Sequence, residues 1–384
     1  MSETYPWEQY PLHELEARGI ATLGRGNIIS KRDIQSNPGG YPIYSSSAKG
    51  EGLFGNYGDY MFDEEMITWS VDGGGNLFYR PRHRFSVTNV SGYMRLDTSV
   101  LDYRFAHAVL ALQHSKLTFD YQTKAHPSVI RNLYHLPIPP LPEQKKIAEI
   151  LSGIDKEISR HQEKIEALRF LKKSTADALI HQERFSLKPL QEVIGKGGSI
   201  QDGDWIESKD QDQNGNIRLV QLADIQEGHF MQKSSRFMNQ EKANALNVTL
   251  LQEGDLLVAR MPDPIGRSCI FPGSTQDCVT VVDIAILRSN ECNLKWLMHT
   301  INTSAVRNQI EELATGTTRK RISRGRLSEL YIPHPEKTEQ EYIAEQISSI
   351  DTALATLQNC IEKTKLLRSA ISSDLLSGRK RVSV

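Results

Sequence analysis

PPLPEQKKIAEILSGIDKEISRHQEKIEALRFLKKSTADALI (139–180) decides the fold, because the chain contains this pattern twice. The second copy is TEQEYIAEQISSIDTALATLQNCIEKTKLLRSAISSDLLSG (338–378). Gln144, Ile147-Ala148-Glu149 and Ile154-Asp155 return 196 positions later as Gln340, Ile343-Ala344-Glu345 and Ile350-Asp351. In the first copy Ile147, Leu151, Ile154, Ile158, Ile165 and Leu168 follow steps of four and three, with His161 filling one step. Ile343, Ile347, Ile350, Leu354, Leu357 and Ile361 repeat the spacing. An apolar seam sustained at this period predicts two long helices that pair with each other. Two separate amphipathic core helices are the alternative.

Working outward, 384 residues suffice for two or three domains with their own cores. Hydrophobic residues make up 39% and charged residues 24%, an ordinary globular balance. No apolar run reaches the length needed to cross a bilayer. The opening MSETYPWEQYPLHELEARG lacks the basic start and apolar segment of a signal peptide. Cys269, Cys278, Cys292 and Cys360 show no CxxC spacing, which argues against a zinc site or disulfide framework. The expected compartment is the cytoplasm. A net charge of −1 does not favour a free-standing nucleic-acid binder, though local basic patches remain open.

Residues 1–141 predict a β-rich unit. YPIYSSS (41–47), YMFDEEMITWSV (60–71), NLFYRP (76–81) and FSVTNVSGYMRL (85–96) alternate or run apolar between glycine-rich turns. LDYRFAHAVLALQHS (101–115) has helical spacing. Residues 187–335 predict a second unit that opens with KPLQEV where the first opens with YPLHEL. Leu12 and Leu190 are 178 apart against 196 for the helices, so the second unit is longer by a net 18 residues. Its expected strands are 217–225, 254–260, 268–273 and 279–288, and its expected helix is KWLMHTINTSAVRNQIEELA (295–314). Thr338 with Glu341 suggests a capping box for the second long helix, and Gly378 a C-terminal stop.

The expected fold class is α+β. Two β-rich domains, 1–141 and 187–335, are separated by two long antiparallel coiled-coil helices, 142–186 and 336–384, in a pseudo-two-fold repeat. The connectivity places a globular head at each end of a rod about 60 Å long. Opposing Asp155 to Arg368 in an antiparallel register also opposes Asp351 to Lys172, so two ion pairs are expected beside the seam.

No P-loop, HExxH, GxSxG or zinc-ligand pair is present, nor the [DNS]PP[YFW] loop of amino-methyltransferases. GGGN (73–76) has no helix after it and suits a turn. The chain is expected to be non-catalytic, with no metal site. Binding chemistry is more evident. ATGTTRKRISRGR (314–326) groups Thr317, Arg319, Lys320, Arg321 and Arg324 with no acidic residue, a set suited to phosphates and guanine edges. A solvated basic loop is the plain alternative. The matching loop of the first unit holds Lys124, His126 and Arg131, and RPRHR (80–84) is a further basic cluster or a hairpin turn. Tyr44, Ser46 and Lys49 supply hydrogen-bonding groups, and Arg260 and Arg267 flank the MPDPIG turn.

These stretches together resemble the specificity subunit of type I restriction–modification systems over essentially the whole chain. PLPEQKKIAEILSGID is similar to the family's central helix, and GDLLVARMPDPIGRSCIF and YPIYSSSAKGEGLFG to its target-recognition domains. The second exit, IPHPEKTEQEYIAEQ, departs mildly from the proline-rich form of the first. The resemblance implies two target-recognition domains that each read half of a bipartite double-stranded DNA site, with the coil as a ruler for the spacer. It implies no cofactor on this chain and no membrane contact. Its implied partners are two methyltransferase subunits, which bind S-adenosylmethionine and methylate adenine, and two ATP- and Mg-dependent restriction subunits. A modification-only complex, or an adaptor carrying two domains for a ligand other than DNA, are the competing readings.

Overall fold

The computed structural model describes residues 7–46, 50–72, 74–117, 125–262, 264–316 and 319–383. Two compact units form, one from Met1–His161 with Cys360–Val384 and one from Gln162–Asn359. Among the described residues no helix is long and apolar enough to cross a membrane.

In the first unit β1 (Gln9–Pro11) runs directly into α1 (Leu12–Ala17), whose buried face is Leu12 and Leu15. After β2 (Ala21–Arg25), α2 (Lys31–Ser36) starts on a capping box between Ser30 and Asp33. The strands β3 (Tyr41–Tyr44), β4 (Leu53–Tyr57), β5 (Phe62–Ser70), β6 (Leu77–Val87) and β7 (Ser91–Leu96) complete a sheet ordered β2-β7-β5-β6-β3-β4. β6 begins antiparallel to β5 and ends parallel to β3, so one strand serves both halves of the sheet. A register shift opposite Glu64–Met66 absorbs Pro81, which has no N–H for the ladder. RPRHR therefore lies in the middle of a strand rather than in a turn. α3 (Tyr103–His114) and α4 (Pro127–Leu133) cover the sheet, β8 (His135–Pro137) returns to pair with β1, and α5 (Leu141–Ile180) follows.

The second unit repeats this plan. β9 (Ser186–Pro189) leads into α6 (Leu190–Ile194) and β10 (Ser199–Asp202). β11 (Ile217–Val220), β12 (Phe237–Met238), α7 (Gln240–Leu246), β13 (Leu256–Ala259), β14 (Ser268–Ile270), β15 (Cys278–Thr280) and β16 (Ile284–Arg288) come next. The order β10-β16-β13-β14 reproduces β2-β7-β5-β6, and β12-β11-β15 reproduces the rest with its parallel pair. Here Pro272 and Gly273, at φ 81°, end β14, and the strand that is continuous in the first unit is split in two.

The expected helix 295–314 is two helices, α8 (Leu294–Ile301) and α9 (Ser304–Leu313). The break falls where the Asn302 amide group accepts from Ser268 N–H at 3.0 Å and donates to its carbonyl at 2.9 Å. α10 (Arg324–Ser328) and β17 (Tyr331–His334), paired with β9, precede α11 (Lys337–Leu376). α11 already includes Thr338, so that residue lies in the first turn and not at the cap. Gly378 closes the end at φ 73°.

Both long helices enter both cores. Ile147, Leu151, Leu375 and Leu376 pack with Leu15, Trp69 and Phe105 in the first unit. Ala176, Ile180, Ile343 and Ile347 pack with Leu190, Trp296 and Leu330 in the second. Ile147, Leu151, Ile165, Ile343, Ile347 and Ile361 are buried, and Ile154, Ile158, Leu168, Ile350, Leu354 and Leu357 partly so. Phe170, Leu171, Leu366 and Leu367 beside them are exposed. Both expected ion pairs form. Arg368 Nη2 lies 2.8 Å from Asp155 in the first unit, and Lys172 Nζ 2.7 Å from Asp351 in the second.

The repeated glutamine acquires a reason. Gln144 is fully buried, accepts from Asp102 N–H at 2.8 Å and donates to the carbonyls of Val100 and Pro139, both at 2.8 Å. Gln340 accepts from Asn293 N–H at 2.9 Å and donates to Pro335 O at 2.9 Å. Asp102 and Asn293 are the N-caps of α3 and α8, so each glutamine clasps a long helix to a transverse one.

Candidate nucleic-acid interface

One end of each unit gathers its loops. In the first, Arg25 at the end of β2 donates to Asn89 O at 2.9 Å, and Asn27 bridges Thr88. Thr88 Oγ1 donates to Ser45 Oγ at 2.9 Å, and Ser70 Oγ to Ser46 O at 3.0 Å. Ala125 N–H donates to Val71 O at 3.1 Å, while Trp69 Nε1 donates to Ala125 O at 2.8 Å. His126 caps α4 by accepting from Ser128 N–H. The loops after β2, β3, β5 and β6 and the loop before α4 therefore meet.

The second unit builds the same junction. Asp204 bridges Val281, and Val282 N–H donates to Asp204 O at 3.0 Å. Arg260 N–H donates to Asp283 O at 2.9 Å, and Ile322 N–H to Arg260 O at 3.1 Å. A reciprocal bridge between Thr315 and Arg321 closes the base of the basic loop. Gly316, at φ 110°, is required there, since a Cβ would lie 2.6 Å from Arg319 O. Arg319, Lys320 and Arg324 are exposed, and among the described residues none has an ion-pair partner. Arg319 and Lys320 on this tethered loop and Arg324 at the start of α10 leave the edge with three cations that no described carboxylate neutralises.

Other candidates are engaged internally. Arg260 and Arg267, expected as DNA contacts, are instead buried. Arg260 pairs with Asp202 and donates to Ile322 O at 2.9 Å; Arg267 donates to the carbonyls of Ile225, Pro264 and Leu222 at 2.7–2.8 Å. Buried guanidinium groups need this many acceptors, and only the tertiary fold supplies them. Arg131 is held by Glu16 at 3.0 Å, and Arg321 donates to Val282 O at 3.0 Å. Tyr44 lies under the Arg80 guanidinium, 3.6 Å from its ring centre, with its hydroxyl 3.2 Å from His83 Nε2. Burial lowers the Arg80 pKa, and Tyr44 and Glu51 oppose the shift. Lys49, Lys124 and Thr317 lie outside the described residues. No group of metal ligands occurs among the described residues.

A model of the type I restriction modification DNA specificity domain matches residues 9–169 and again 185–366. The chain belongs to this type I specificity family.

The specificity subunit of the type I restriction enzyme MpnII of Mycoplasma pneumoniae is 30% identical over 150 residues, 38% of this chain and 44% of the relative. That of MjaVIII from Methanocaldococcus jannaschii is 24% identical over 343 residues, 83% of this chain and 79% of the relative. The S subunit of a type I restriction–modification system from M. genitalium has the same fold, with a TM-score of 0.63 at 13% identity, covering 98% of this chain and 97% of that one. Two further M. pneumoniae relatives are matched over only 49% and 62% of their length.

Within this specificity fold, sequence reasoning missed the loop after β2. GNIISKRD (26–33) and GDWIESKD (203–210) correspond at an offset of 177, within one residue of the Leu12–Leu190 spacing. Aligning the units at that offset would have exposed it.

Proposed function

We propose that this chain is the non-catalytic DNA-reading subunit of a type I restriction–modification complex, each unit reading one half of a bipartite site. The observation that supports this most is one loop junction built twice with unlike side chains, a basic loop at 319–324 in one unit and Lys31, Arg32 and His126 in the other. A repeated frame with divergent loops suits two different half-sites. Two methyltransferase subunits using S-adenosylmethionine would methylate adenine, and two ATP- and Mg-dependent restriction subunits would complete the complex. The two helices of 40 residues each would act as the ruler for the spacer.

The test is copurification with an adenine methyltransferase, followed by footprinting. Protection of a split site supports the reading, and a complex that distinguishes no sequence overturns it. Replacing Arg319, Lys320 and Arg324 by Ala should lower affinity for all sequences and reduce the salt slope by about one per lost phosphate contact. An unchanged slope removes that loop from the interface.

A further inference from the structure

The two units expose an apolar side chain at the same place. Gly26 and Gly203 press against the neighbouring strand so closely that a Cβ would lie 2.0 Å from Val87 O and 2.3 Å from Val281 O. Asn27 and Asp204 each form one parallel bridge to that strand, with Thr88 and Val281. Four residues on from each glycine, Ser30 and Glu207 open capping boxes closed by Asp33 and Asp210. The backbone between these anchors is pinned at both ends. Ile29 and Ile206 are partly buried. Ile28 is 79% exposed and Trp205 is 68% exposed, the highest values among the described large apolar residues outside the two long helices.

Isoleucine is among the most buried residue types, and tryptophan is highly buried on average. A built position that exposes one in each unit is not a product of core packing. The Trp205 indole N–H donates to Glu207 at 3.2 Å. The surroundings carry both charges: Lys209 pairs with Glu207 beside Trp205, and Asp33 follows Lys31 and Arg32 beyond Ile28. Asp204 holds Val282 N–H, and the Val282 carbonyl accepts from Arg321, on the loop that presents Arg319 and Lys320. In the first unit Lys31 and Arg32 are exposed just beyond Ile28.

An exposed apolar side chain with cations on neighbouring segments suits the layered chemistry of duplex DNA, with phosphates outside and stacked base faces within. We propose that Ile28 and Trp205 are wedges, one per half-site, that enter the base stack of bound duplex DNA and unstack a step. This rests on the DNA-reading function proposed above. The different widths of the two side chains would make the two half-sites prefer different steps, with flexible pyrimidine–purine steps favoured.

The experiment uses the full chain with its methyltransferase subunits and duplexes carrying 2-aminopurine at successive positions other than the methylated base. The wild-type complex should raise fluorescence severalfold at one step in each half-site. Trp205→Ala should abolish the rise in one half-site alone and weaken binding about tenfold with an unchanged salt slope, while Trp205→Phe retains the signal. Ile28→Ala should do the same in the other half-site. Unchanged fluorescence in both Ala variants, with the footprint intact, overturns the wedges and leaves the DNA-reading function standing. Loss of methyltransferase binding in either variant also overturns them, assigning the residues to a protein contact. A wild-type complex with no sequence preference overturns both proposals together.

Discussion

The two units solve one topological problem with different materials. In the first, β6 carries the chain from one half of the sheet to the other, and a bulge at Pro81 keeps the ladder continuous. In the second, Pro272 and Gly273 interrupt the equivalent strand, Arg267 beside β14 reaches the segment after β11, and a charged network holds that segment in place. Asp224, fully buried, accepts from the N–H groups of Gln221, Lys233 and Ser234 and pairs with Arg218 at 3.1 Å. Arg267 gathers three carbonyls of the adjoining segments. A backbone ladder distributes its bonds over many residues. A charged knot concentrates them on two or three, so the second unit should be the more brittle to single substitutions.

The largest effect should come from Asp224→Ala, which strands the Arg218 guanidinium and several N–H groups. A loss of about 3–5 kcal/mol is expected, confined to the second unit. Hydrogen exchange should show deprotection of β11 and β15 with β6 unaffected; equal deprotection of β6 would dissolve the contrast. The two glutamine clasps should cost less, about 2 kcal/mol each when replaced by Ala. Gln144→Ala should be the worse of the pair, because it abandons three hydrogen bonds where Gln340→Ala abandons two. Urea midpoints for both variants measure this, and a reversed order breaks it.

A further contrast is pH-dependent and, between pH 7 and 5, no larger than that of the glutamine clasps. Burial pushes His299 down to about 3 from 6.5, and Lys172 and Lys295 add to the shift. Above pH 6.5 the folded and unfolded chains both hold a neutral imidazole. Below it only the unfolded chain takes up the proton, so stability falls by about 1.4 kcal/mol per pH unit. The loss continues until the pH nears the folded value of about 3. His107 in the first unit is also lowered by burial, but its hydrogen bond to the Leu77 carbonyl opposes the shift. His299→Gln should flatten the urea midpoint between pH 7 and 5 more than His107→Gln does. Equal slopes would place the two units on the same footing.

The long helices were legible because a seven-residue period leaves little freedom. The two helices followed from the spacing, and both ion pairs from opposing Asp155 to Arg368 and Asp351 to Lys172. Strand positions were legible from turn residues, but strand continuity was not. NLFYRP and RSCIFP look alike, and only the bulge opposite Glu64–Met66 keeps the first strand running. Arg260 and Arg267 defeated sequence reasoning because a buried arginine differs from an exposed one only in carbonyls brought from distant segments, 62 residues away for Ile322 and 45 for Leu222. The break at Asn302 had no Pro or Gly to announce it, since its cause is Ser268 on another strand.

The first unit is discontinuous in sequence: its core closes only when Leu375 and Leu376 arrive, and Arg381 grips Glu143 from 238 residues away. The second unit is a single uninterrupted stretch. During synthesis the order of completion therefore inverts the order of the genes' message: the later unit has all its parts first, and the earlier one waits for the last turns of α11. Until then the apolar face around Ile147 and Leu151 lacks Leu375 and Leu376, a window for aggregation that long-range closure imposes.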